Sequence, residues 1–134
     1  MLRRLLPAVC IVSLVLFSGC NKTTPDSIAK DMIAKFNEMT ATLKGATDEA
    51  SAKTASEKLK SLTADMKKLK NDGDALHVSK EEEKRVMDAH KKELETAGEA
   101  LGNQASRILT DPKLGKGPLG DAIREMMTSL TAAK

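Results

Sequence analysis

The stretch ASEKLKSLTADMKKLKNDGD, residues 55–74, decides the fold. Ala55, Leu59, Leu62, Met66 and Leu69 recur at alternating steps of four and three, with lysines and acids between them. Those steps draw one apolar stripe along a helix. After Lys70 the rhythm breaks at Asn71-Asp72-Gly73-Asp74, the clearest turn signal in the chain. A turn there predicts that this helix folds back antiparallel on the next one.

That next element is a longer helix of the same kind. Ser79-Lys80-Glu81-Glu82 reads as a capping box, and Glu81 to Glu83 suit the positive end of a helix. Its seam runs Met87, His90, Leu94, Ala97, Leu101, Gln104 and Ile108 until Asp111-Pro112 stops it. A mean step of about 3.5 is a bundle or coiled-coil rhythm. Leu62 and Leu94 read as equivalent buried positions of one shared seam.

Upstream, Thr24-Pro25-Asp26-Ser27 supplies a cap, a proline at the first helical position and an acid in the first turn. Met32, Phe36, Met39 and Leu43 then form a stripe, and Gly45 with Thr47 marks a break or a second cap. Downstream, Gly115, Gly117, Pro118 and Gly120 make a loop, and Leu119, Ile123, Met126 and Leu130 stripe a short last helix. Nothing alternates with period two, so no sheet is expected. The expected fold is all-α: a small antiparallel helical bundle or coiled-coil hairpin of three to four helices, over residues 25–134. The alanine-rich stretch 50–56 either admits a neighbouring backbone closely or is simply a strong helix former.

The amino terminus is not part of that domain. Arg3 and Arg4 precede an almost unbroken apolar run from Leu5 to Phe17. Thirteen helical residues span only ~20 Å, short of a ~30 Å bilayer core. Basic start, short apolar run and small residues read as an export signal over residues 1–19. At Phe17-Ser18-Gly19-Cys20 the chain resembles the lipobox of bacterial lipoproteins, with Phe17 where leucine is commoner. That resemblance implies cleavage between Gly19 and Cys20, a diacylglycerol thioether on Cys20 and often a further acyl group on the new amino terminus. Two or three acyl chains hold a protein stably where one does not. Residues 20–24 become a lipidated tether, and the partner at that end is membrane lipid. Asn21 stands where enteric bacteria use Asp for inner-membrane retention, which by resemblance favours the outer membrane.

Removing the signal changes the charge and cysteine content. The chain has 22 basic and 19 acidic side chains, but Arg3 and Arg4 belong to the signal, leaving 20 against 19. A nearly neutral domain has no general pull toward nucleic acid. Cys10 leaves with the signal and Cys20 is blocked, so no thiol chemistry remains. Leu, Ile, Val and Phe make up 18 of the last 115 residues, a thin supply for a core. Six methionines and many alanines extend it, which is ordinary helix-core filler rather than a copper site.

Catalytic and metal chemistry finds little to work with. His77 and His90 are thirteen residues apart, and Glu93 is the sole helical-spacing ligand candidate beside His90. One imidazole and one carboxylate are too few for a specific zinc site. Asn71 to Asp74 places its glycine too early for a calcium loop, and residues 113–120 lack the phosphate-loop pattern. No metal, cofactor or enzymatic activity is expected.

Two functions remain. The first is a lipid-anchored, non-enzymatic interaction module of the cell envelope, whose stripe Met32, Phe36 and Met39 either meets a protein partner or a second copy, or joins the stripe of the last helix in completing a four-helix core. The second is a structural tether. Cys20, heptads and Lys134 resemble in order the murein lipoprotein, in which a terminal lysine joins membrane to peptidoglycan. The chain departs from that family at Gly45, Gly73 and residues 111–120, which interrupt any single helix.

Overall fold

The structure is a computed structural model that describes residues 23–131, so Gly19, Cys20 and Lys134 lie outside the described residues. Four helices occupy the described residues: α1 (Pro25–Lys44), α2 (Glu49–Asp74), α3 (Lys80–Thr110) and α4 (Pro118–Thr131). There is no strand among the described residues. The fold is an all-α four-helix bundle.

Local chemistry sets the helix starts. Thr24 Oγ1 accepts from the Ser27 amide at 3.1 Å while Ser27 Oγ accepts from the Thr24 amide at 3.0 Å. Pro25 sits at the first helical position, where a missing N–H costs nothing. Asp48, rather than Thr47, caps α2 through the same reciprocal pattern with Ser51. At α3 only half of the expected capping box forms. Ser79 Oγ accepts from the Glu82 amide at 3.2 Å, but the Glu82 carboxylate faces Arg85 at 3.7 Å instead of turning back.

The Asn71–Asp74 turn is a correction. α2 runs through it to Asp74, and the Ala75 amide still donates to the Asn71 carbonyl at 3.0 Å. Gly73 faces Ile28 of α1, which lies about 3.6 Å from where a Cβ would stand, an ordinary packing distance. The chain reverses over residues 75–79 instead. His77 takes the left-handed conformation there, with φ 45°, unusual for a residue other than glycine.

The expected α2–α3 hairpin is the second correction. α1 packs against both α2 and α3, α4 packs against α2 and more lightly against α3, and α2 and α3 are diagonal. Lys35 of α1 pairs with Asp65 at 2.9 Å and Glu38 with Lys58 at 3.4 Å, so α1 and α2 are antiparallel. His90 meets Asp26, and Arg107 meets the Leu43 carbonyl, the same offset of 64 at both ends. α1 and α3 are therefore parallel neighbours.

The main core lies where α4 closes the bundle. Met39 and Leu43 of α1, Leu59 and Leu62 of α2, Ile108 of α3 and Ile123 of α4 meet there. α4 begins where Ser56 Oγ donates to the Pro118 carbonyl at 3.1 Å, and it returns alongside α2. Ala52, Ala55 and Ser56 are buried in that region, so the small residues do admit a neighbouring backbone. Arg107 closes the same end by donating to the Leu43 carbonyl in the last turn of α1 at 2.7 Å and to the Ala46 carbonyl just beyond it at 3.4 Å.

Candidate functional site

The opposite end is open. α2 and α3 are held apart as diagonal helices with α1 as the floor, and the space between them is a groove of about 600 Å³. That volume falls within the usual range for small-molecule sites. Ile28, Ala29 and Met32 form the floor beside Pro25, the first residue of α1. Leu69 and Gly73 of α2 make one wall, and Val86, Met87 and Leu94 of α3 the other. The 75–79 connection closes the end with Leu76, His77 and Val78. Lys70, Asp74 and Glu83 are the charged residues lining it. No residue of α4 lines it among the described residues. Ile28, Ala29, Val86 and Ala97 are buried yet stand outside the main core cluster, so this end is packed more thinly than the other.

The stripe expected to meet a partner divides between core and groove. Met39 is fully buried in the core, which removes it as a contact residue. Phe36 is half-buried and packs against that core. Met32 alone of the three lines the groove. The α3 seam is also corrected: Met87 is 53% exposed, while Val86 is buried in its stead. Leu94 is half-buried at the groove, and only Leu62 of the supposed pair is a core residue. The reason is the same in each case, because α3 turns its buried face toward α1 and not toward α2. Periodicity along the chain did not reveal the groove. Its signal was Leu76 and Val78, two apolar residues in a segment too short to be a helix.

Beside the groove, α1 and α3 are pinned by one ion pair. His90 is buried, and its Nε2 stands 2.7 Å from Asp26 Oδ1, which also pairs through its other oxygen with Lys30 at 2.7 Å. Glu93 lies 3.6 Å from Nδ1, a nitrogen with no hydrogen-bond partner among the described residues. The two carboxylates address opposite nitrogens of one ring, so they do not converge on an ion. Among the described residues no group of three or more His, Cys, Asp or Glu side chains could hold a metal.

This pin titrates. The hydrogen bond to Asp26 raises the His90 pKa above its ordinary value against the opposing effect of burial. The Lys30 hydrogen bond, then His90, lowers Asp26 from 3.8 to about 2. A raised imidazole stabilises the fold fully below its unfolded pKa of about 6.5, and that contribution is lost as pH rises through the folded value. A lowered carboxylate stabilises it above 3.8 and loses effect as pH falls toward 2. Thermal melts across pH are therefore expected to show a plateau from about pH 4 to about pH 6.5, with a decline on either side. In Asp26→Asn the decline above pH 6.5 should flatten. An unchanged alkaline arm in that variant would show that the ring is not coupled to Asp26.

No helix among the described residues is long and apolar enough to cross a membrane. Comparison with protein-family models, with curated proteins and with solved structures finds no match to this chain.

Proposed function

We propose that this protein is a lipid-anchored, non-enzymatic binding module of the bacterial cell envelope, attached through an acylated Cys20 and presenting the apolar groove at its membrane-proximal end. The observation that carries this reading is the position of the groove. Pro25 lines it, and only Asn21 to Thr24 separate that proline from Cys20. A tether of four residues reaches ~14 Å, so the groove stays at the membrane surface. Outer-membrane residence rests on Asn21 alone.

The tether reading draws less support. It asks for one long helix carrying a terminal lysine far from the lipid, whereas α4 doubles back along α2 toward the end where α1 begins. Replacing Cys20 tests the anchor directly. Cys20→Ala should abolish metabolic labelling with palmitate and move the protein from the membrane to the soluble fraction. Labelling that persists in this variant would sink the proposal.

A further inference from the structure

We propose that the groove shelters one acyl chain of the lipid on Cys20 of the same molecule whenever the protein is off the membrane. The inference rests on the lipid anchor proposed above and adds where one of its chains goes.

Position is the first support. Cys20 precedes Pro25 by five residues, ~17 Å of extended chain, and Pro25 is already part of the groove. The reciprocal Thr24–Ser27 cap fixes where the tether leaves the bundle. A short tether also holds its lipid at a high effective concentration, in the millimolar range, at any site within reach. No separate ligand has that advantage.

Shape is the second. On α3 the wall extends from Glu83 to Leu94, eleven residue steps and so ~17 Å of helix. The groove offers about 600 Å³. A single acyl chain is slim enough to enter along its length.

Chemistry is the third. Ile28, Met32, Leu69, Val86 and Leu94 present hydrocarbon and thioether surface. The charges around them are two acids, Asp74 and Glu83, against one base, Lys70. That balance disfavours the carboxylate of a free fatty acid. A thioether-linked diacylglycerol is uncharged and needs no counter-ion. Its chain loses only water on entry, which is favourable.

The methionines provide the test. Met32 and Met87 line the groove, Met126 is core, and Met127 is exposed on α4. Methyl spectra of the lipidated protein in detergent-free buffer should differ from those of Cys20→Ala at Met32 and Met87, and agree at Met127. Leu94→Asp, which sets a charge on the groove wall, should expel the chain and raise partitioning into phosphatidylcholine vesicles roughly tenfold, the equivalent of ~1.4 kcal/mol. An unchanged Met126 signal and far-ultraviolet dichroism establish that this variant is folded. Mass spectrometry of Cys20 separates the anchor from the sheltering of its chain. An unmodified Cys20 overturns the anchor and the inference together, whereas a lipidated Cys20 with Met32 and Met87 unmoved overturns the inference alone. Shifts that grow with protein concentration would assign the groove to a second copy. Uptake of free palmitate by Cys20→Ala, with no shift in the lipidated protein, would assign it to a separate acyl ligand. Either result overturns the assignment made here.

Discussion

Leu62→Asp is expected to unfold the domain, and Leu94→Asp is expected to leave it folded, although both leucines fall on apolar stripes at helical spacing. Leu62 is 4% exposed in the cluster shared by all four helices. Losing a buried leucine costs about 2–5 kcal/mol, and an unpaired carboxylate in the same space adds several more or forces its own protonation. A small domain has only about 5–15 kcal/mol in total. Leu94 is half-buried on the groove wall, where an aspartate can turn to water. Its replacement should cost about 1 kcal/mol, the centre of the distribution for point changes. Circular dichroism melts of residues 21–134 would decide the matter. Equal losses at the two sites would mean that α2 and α3 share a seam after all.

Gly120→Ala is expected to be the other severe change, through backbone rather than side-chain contact. A Cβ at Gly120 would stand 2.6 Å from the Gly115 carbonyl carbon, and one at Gly115 would stand 2.8 Å from the Ile108 carbonyl oxygen. Neither glycine has positive φ, so space is what demands them. The loop after α3 and the first turn of α4 touch main chain to main chain, and Arg124 locks them by donating to the Gly115 carbonyl at 3.0 Å. Backbone cannot swing aside as a side chain does. The substitution must lift α4 from the core, at a cost of about 3 kcal/mol or more, the upper end of overpacking penalties. Gly98 and Gly102 are the controls, since a Cβ at either meets nothing within 4 Å. Alanine there should stabilise α3 by roughly 0.5–1 kcal/mol at each site. Melting temperatures that fall equally for all three variants would show that propensity, not space, governs these glycines.

Local chemistry was legible wherever it acts within a few residues. Thr24, Pro25 and Ser79 mark helix starts because a hydroxyl or a missing N–H has its effect within one turn. The failure at Asn71–Asp74 is informative for the same reason. Local preference favours a turn there, yet the helix runs on to Asp74, where Gly73 packs beside Ile28, 45 positions away in the chain. The proposed anchor at Cys20 likewise rests on neighbours, residues 17–20. The groove was not legible, since its floor and walls come from three helices and a connection.

The sequence by itself determined that the domain is a set of short and long helices, where most of them begin, and which positions along them form apolar stripes. Periodicity and capping are properties of neighbouring residues, so no partner is needed to read them. Only the tertiary structure decided that α1 lies between α2 and α3, that Met39 is core while Met32 lines a groove, and that His90 reaches Asp26. An apolar stripe states that a face must leave water without naming the surface that covers it, because burial is non-directional and every stripe in this chain offers much the same aliphatic and thioether surface. The choice among them was made by longer-range features: backbone room at Gly115 and Gly120, the Arg107 clasp on the end of α1, and the one ion pair that sets α3 beside α1.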